Sequence, residues 1–155
     1  MKILHFFSRL IVGLVFIFSG FVKGVDPLGT AYRIEDYFIA WNAQDMMPYA
    51  LSLSILLSTM EFVLGVVVLL NLKPRVNAWI LLAVMGFFTL LTLNDAIYNP
   101  VPDCGCFGDA ITLTNWQTFY KNVILMVFTL VLLLLRKKTT GVESVPGSYG
   151  TAAAA

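Results

Sequence analysis

The chain has 155 residues, of which 59% are apolar and 12% are charged, and its formal net charge is +1 at pH 7. This composition excludes an ordinary water-soluble domain, and the small charge gives no indication of nucleic-acid binding. Four apolar segments are each long enough for a bilayer core about 30 Å thick. They predict an all-α integral membrane protein built as a four-helix bundle.

The first apolar segment runs from about Ile3 to Val22. We interpret it as a retained helix and not as a cleaved signal peptide, because no clear small-residue cleavage site follows it. In residues 25–47, four aromatic side chains lie among acidic ones. This composition is typical of a short helix in the membrane interface, so we expect a lid-like aromatic loop between the first two spanning helices.

The second segment is predicted over residues 48–72. A tight turn over residues 73–77 leads to the third segment, which ends near Tyr98. Two prolines that follow Tyr98 prevent this helix from continuing.

The loop over residues 99–113 contains both cysteines of the chain. The fourth segment is predicted over residues 114–135, with Thr114 as its N-cap. A basic run closes it, and the composition then changes to that of a linker. We therefore expect one transmembrane domain over residues 1–138 and a flexible tail or linker over residues 139–155.

The distribution of Lys and Arg predicts the orientation, because cytoplasmic loops are enriched in these residues. Seven basic residues lie on one side of the segments: Lys2, Arg9, Lys73, Arg75, Arg136, Lys137 and Lys138. Three lie on the other side: Lys23, Arg33 and Lys121. We expect a multi-pass protein of the bacterial cytoplasmic membrane, with both termini in the cytoplasm and the cysteine loop extracytoplasmic.

Cys104, Gly105 and Cys106 form a CxC motif in this loop. A disulfide that closes so short a loop constrains the unfolded chain very little, so it is a poor structural staple. A strained bridge is more easily reduced, which is the property that a thiol–disulfide exchanger needs. We predict that the pair is catalytic, and a static disulfide is the alternative.

A metal site is a further alternative, because two thiolates can bind a soft ion such as Cu(I). The single histidine, His5, lies at the cytoplasmic end of the first segment, on the other side of the membrane from the cysteines. It cannot join them as a ligand, so we predict no metal centre. The carboxylates of Asp103 and Asp109 are expected to raise the pKa of the thiols by charge repulsion, whereas Lys121 is expected to lower it.

Glu61 lies near the middle of the second segment, where a carboxylate is costly unless it faces the bundle interior. With a rise of about 1.5 Å per residue, Glu61 lies roughly 16 Å from the cytoplasmic end of its helix and Arg9 roughly 9 Å from the start of its own. An arginine side chain can bridge that difference, so an ion pair of Glu61 with Arg9 is predicted. The alternatives are a protonated Glu61 and a site for proton handling or ligand binding.

Lys23 and Asp95 end the first and third segments on the cysteine side. We expect them to pair beside the loop; the alternative is that Lys23 extends to lipid head groups. Gly13, Ser19 and Gly20 form a stripe of small residues suited to close helix packing.

Parts of the sequence resemble the DoxX-like membrane proteins, and most closely their MauE branch. The similar parts are RLIVGLVFIFSGFVKGVDPLGTA, Glu61 followed by Gly65, and the DCGCFGD loop with Phe107 and Gly108. The resemblance covers roughly residues 8–136 and implies a four-helix bundle. For the MauE branch it also implies a part in forming or maintaining disulfides of exported proteins. Other DoxX-like proteins are described as quinone-linked oxidoreductase subunits or members of redox membrane complexes.

We therefore expect a membrane thiol–disulfide oxidoreductase that acts on an exported thioredoxin-like or other cysteine-containing protein. Cys106, which Phe107 follows, is the expected resolving thiol, and Glu61 with the aromatic loop is expected to shape a quinone site. Membrane thiol oxidoreductases of similar design use a second cysteine pair, which this chain lacks. The alternative is a non-catalytic accessory subunit of a larger membrane complex with a structural CGC loop.

Overall fold

A computed structural model describes residues 2–101 and 113–135. Within these ranges the chain forms five α-helices, one 3-10 helix and no β-strand. The α-helices are α1 Lys2–Val25, α2 Pro27–Ala40, α3 Ala50–Leu69, α4 Pro74–Tyr98 and α5 Asn115–Leu135, and the 3-10 helix covers Gln44–Tyr49.

Four helical stretches are long and apolar enough to cross a membrane: α1, α3 with the 3-10 helix before it, α4 and α5. The predicted all-α four-helix membrane fold is confirmed. The orientation of the termini stays a prediction, and the predicted tail over residues 139–155 lies outside the described residues.

The spanning helices pack as two antiparallel pairs. The most extensive contacts join α1 to α3 and α4 to α5, and contacts between α1 and α5 hold the two pairs together. Apolar side chains from all four helices form the core: Val12, Phe16, Leu64, Val68, Leu81, Met85, Leu125 and Leu132.

Glycines bring the backbones of α1 and α3 close together. A Cβ atom on Gly20 would lie 2.5 Å from the backbone nitrogen of Phe62, and one on Gly65 would lie 2.7 Å from that of Ile17. Small residues allow this approach where two membrane helices cross. The stripe of small residues predicted on α1 is confirmed as a packing surface.

The segment between α1 and α3 contains the predicted helix, α2, which covers the start of α3. Asp26 caps α2 by accepting a hydrogen bond of 3.0 Å from the backbone N–H of Gly29, and proline occupies the first helical position. Ala31 and Phe38 of α2 pack against Ala50 in a second apolar cluster. This contact fixes α2 on one end of the bundle.

The prediction of a turn over residues 73–77 is wrong from Pro74 onward, because residues 74–77 belong to α4. Pro74 begins α4, because the ring of a proline suits the first position of a helix. The connection from α3 is shorter than expected and uses Asn71 and Lys73 with φ of 55° and 38°. The side-chain amide of Asn77 donates to the carbonyl of Leu72 and fixes this connection.

Thr114 caps α5, as predicted. The backbone N–H of Gln117 donates to Thr114 Oγ1 at 3.3 Å, and that of Thr114 donates to Gln117 Oε1 at 3.0 Å. This reciprocal pair satisfies two donors at the helix start.

Candidate functional site

A buried ion pair joins α1 to α3. Lys23 Nζ lies 2.7 Å from Glu61 Oε1 and donates to Glu61 Oε2 at 2.9 Å. The hydroxyl of Ser19, one turn away on α1, donates to Glu61 Oε2 at 2.7 Å. Lys23 and Glu61 are each 3% exposed, so the pair is removed from solvent and both carboxylate oxygens are engaged.

The predicted ion pair of Glu61 with Arg9 is wrong. Gly20 faces Ser58 and Phe62, so Glu61 is level with Ser19, whereas Arg9 lies beside the C-terminal end of α3. The distance estimate failed because it assumed that the two helices end at the same height. Arg9 and Ser19 are ten positions apart, which is about 15 Å along the helix.

A small cavity adjoins the ion pair. Its volume is about 30 Å³, and its polar lining consists of Ser19, Lys23, Glu61, Lys121 and Asn122. The cavity has room for about two water molecules. Lys121, which was expected near the thiols, therefore lines the same cavity as Glu61. A quinone ring here would require the surrounding side chains to move, and the quinone site stays a prediction.

Asp95 accepts a hydrogen bond from a residue of α2 and does not form an ion pair with Lys23. Tyr37 Oη donates to Asp95 Oδ2 at 2.5 Å, and Asp95 is 0% exposed. The predicted pairing of Lys23 with Asp95 is wrong because the ammonium is bound to Glu61. The alternative, in which Lys23 extends to lipid head groups, is wrong because the side chain is buried. Asp95 Oδ1 is buried without a hydrogen-bond partner in the described part of the chain.

Asn115 links the residues on the two sides of the cysteine loop. Its Nδ2 lies 3.2 Å from the carbonyl oxygen of Asp95, 3.1 Å from Asn99 Oδ1 and 3.1 Å from the carbonyl oxygen of Val101. Val101 is itself buried. Because Asn115 begins α5 while Asn99 and Val101 follow α4, the chain enters and leaves the loop at one buried point.

A further polar contact joins α4 to α5 beside the cavity. Asn122 Nδ2 donates to Thr92 Oγ1 at 3.2 Å and to the carbonyl oxygen of Phe88 at 3.3 Å. The sequence placed Tyr37 in the aromatic loop without a partner, and it did not single out Asn115 or Asn122. For Asn122 a signal existed, because an amide inside an apolar spanning segment usually bonds to another helix.

The predicted catalytic and loop residues lie outside the described ranges: Asp103, Cys104, Cys106, Phe107, Gly108 and Asp109. Cys104 follows Val101 by three positions in the sequence. The Asp95 and Asn115 contacts are therefore close in sequence to the CxC motif. In residues 2–101 and 113–135, no group of three or more His, Cys, Asp or Glu side chains could hold a metal ion.

The chain matches a family model, described as methylamine utilisation protein MauE, over residues 1–135. This range contains the four spanning helices and the CxC motif. The chain belongs to the MauE family. No curated protein and no solved structure matches it.

MauE is a membrane family related to the DoxX-like four-helix proteins, so the resemblance seen in the sequence is confirmed. Family membership and the four apolar helices make the chain a multi-pass membrane protein. The MauE description also connects the family with methylamine utilisation.

Proposed function

We propose that this MauE-family protein exchanges disulfides with exported cysteine-containing proteins through Cys104 and Cys106. The observation that carries the proposal is the Asn115 contact, which holds the residues before and after the cysteine loop at one point. A rigid scaffold that fixes both ends of a loop is the usual way to present reactive side chains. The family's connection with methylamine utilisation directs the search for partners to exported proteins of that process.

The proposed exchange begins when the Cys104 thiolate attacks one sulfur of a partner disulfide. A mixed disulfide forms, the partner's S–S bond breaks, and the displaced partner thiolate takes up a proton. Cys106 then loses its proton and attacks Cys104 Sγ. The partner leaves with two thiols, and Cys104 and Cys106 remain as a disulfide. The same steps in reverse oxidise a partner dithiol and leave the chain reduced.

A membrane quinone is the proposed acceptor when the chain acts as an oxidant. It would take two electrons and two protons from the reduced Cys104 and Cys106 pair and become a quinol. Glu61 and the adjoining cavity are the proposed place for proton handling, because the cavity has room for about two water molecules beside the carboxylate. Arg9 is too distant from Glu61 to share this role.

A non-catalytic subunit of a larger membrane complex is the second candidate. The observation in its favour is the Lys23–Glu61–Ser19 contact, in which both carboxylate oxygens are engaged within the chain. Such a carboxylate suits a structural role. The CGC loop would then be a static disulfide that contacts a neighbouring subunit.

Trapping of mixed disulfides tests the proposal. In membranes of cells that use methylamine, Cys106→Ser should accumulate a reducible adduct between Cys104 and an exported protein, because the resolving thiol is missing. A Cys104→Ser/Cys106→Ser variant is the matched control and should form no adduct. The accessory-subunit candidate is favoured instead if neither single variant gives an adduct and growth on methylamine survives Cys104→Ser.

A further inference from the structure

Arg9 is a charged residue of spanning helix α1 that has no acidic partner in residues 2–101 and 113–135. The ion pairs in this part of the chain are Lys23 with Glu61 and Arg33 with Asp36. The Arg9 guanidinium lies 5.6 Å from the centre of the Phe6 ring, a weak contact. Charged residues in membrane helices usually pair with an opposite charge. An anion from outside the described part of the chain would therefore be a favourable partner for the Arg9 guanidinium.

Arg9 lines a shallow groove between α1 and the α3–α4 connection. Asn71 and Asn77 line the same groove, and the aliphatic side chains of Val68 and Leu132 form part of its wall. The side chains of Arg9 and Asn71 make no hydrogen bond to another described residue. Their donors are thus available to a ligand that lies against the open side of the groove.

The end of the bundle that contains Arg9 is basic. Lys73 and Arg75 lie there, at the start of α4. The Asp and Glu residues of the described ranges lie elsewhere, in the middle of α3 or towards the opposite end of the bundle. The positive charge at the groove therefore faces no protein carboxylate in the described part of the chain.

We propose that Arg9 and this groove bind the phosphate of an anionic membrane phospholipid. A guanidinium donates two parallel hydrogen bonds to phosphate oxygens, and the Asn71 amide supplies another donor. The source is a lipid and not free phosphate, because Phe6 and Phe7 next to Arg9 are 50% and 53% exposed and would face acyl chains. Basic pockets between membrane helices bind lipid head groups in this way. The inference is independent of the proposed disulfide exchange.

Native mass spectrometry of the full chain in detergent, titrated with phosphatidylglycerol or phosphatidylcholine, tests the site. Wild type should bind phosphatidylglycerol more tightly, and Arg9→Gln should weaken that binding about tenfold, as expected for loss of a charge-assisted contact. Arg75→Gln is the matched control, because it removes the same charge from the same end but lies outside the groove. It should retain most of the affinity.

The lipid site is rejected if both lipids bind equally or if Arg75→Gln weakens binding as much as Arg9→Gln. Inorganic phosphate at equal ionic strength should not compete with the lipid, and effective competition would assign the groove to a free anion instead. Arg9→Lys provides a second variant if Arg9→Gln does not fold. It keeps the charge without the planar fork and should weaken binding several-fold, whereas Arg75→Lys should not.

Discussion

Lys23 and Glu61 form an ion pair that is buried between two membrane helices. Each is a charged side chain inside a membrane helix, and each depends on the other for compensation. Removal of one partner leaves the other buried and unpaired, whereas removal of both leaves an apolar contact. We therefore expect the effects of the two single mutations on the free energy of unfolding to be non-additive.

Lys23→Met should lower the free energy of unfolding in detergent by about 3–5 kcal/mol, because the Glu61 carboxylate stays buried without its cation. Lys23→Met/Glu61→Leu should recover most of this loss. Asp36→Asn, which breaks the more exposed Arg33–Asp36 pair, is the control and should change stability by less than about 0.5 kcal/mol. Equal losses in the single and double variants would contradict the account of the buried pair.

Tyr37→Phe removes the hydroxyl that donates to Asp95 and leaves the buried carboxylate with fewer partners. We expect a loss of about 1–3 kcal/mol in stability and faster amide hydrogen exchange in α2. Tyr32→Phe is the control on the same helix, because Tyr32 is 60% exposed. Unchanged exchange in α2 after Tyr37→Phe would mean that the hydrogen bond does not hold this helix.

The sequence identified Glu61 as a buried acid but not its partner. An acid inside an apolar segment is visible from composition alone, whereas its partner depends on the relative height of two helices. That height is set by where Gly13, Gly20 and Gly65 allow α1 and α3 to meet. For the same reason Asp95 was assigned to Lys23, although the partner is Tyr37 on α2.

The contact between helices α1 and α3 depends on glycine. Gly65→Ala would place a Cβ atom 2.7 Å from the backbone nitrogen of Ile17 and 2.8 Å from the carbonyl oxygen of Gly13. The helices must then separate, which should cost about 1–3 kcal/mol. Gly24→Ala is the control in α1, since its Cβ would meet nothing within 4 Å.

Thermal unfolding of the two alanine variants in the same detergent measures this difference. Gly65→Ala should melt at a lower temperature than wild type, whereas Gly24→Ala should melt at the same or a slightly higher temperature because alanine favours the helix. Equal melting temperatures would contradict the close packing of α1 on α3.

The spanning helices themselves were predictable, because a run of about 20 consecutive apolar residues is typical of a helix that crosses a membrane. The start of α4 was misplaced because Pro74 was taken as part of a turn, although proline also suits the first position of a helix. The contacts of Asn115 and Asn122 were not predictable without knowledge of which helices are neighbours.

For the whole molecule, the excess of Lys and Arg at one end predicts that both termini face the cytoplasm. A membrane-impermeant maleimide should therefore label Cys104 and Cys106 in intact, reduced spheroplasts. Cys104→Ser/Cys106→Ser carrying a new cysteine at Asn71 should be labelled only after the membrane is opened. The reverse pattern would invert the orientation and place the cysteine loop in the cytoplasm.

The redox potential of Cys104 and Cys106 in the purified protein tests the proposed disulfide exchange, measured by thiol alkylation across a glutathione series with and without a soluble quinone. We expect a potential in the range of exchange catalysts, about −120 to −230 mV, and reoxidation of the pair by quinone. Cysteines that stay oxidised until the protein unfolds, or that stay reduced and do not respond to quinone, would contradict the proposed exchange.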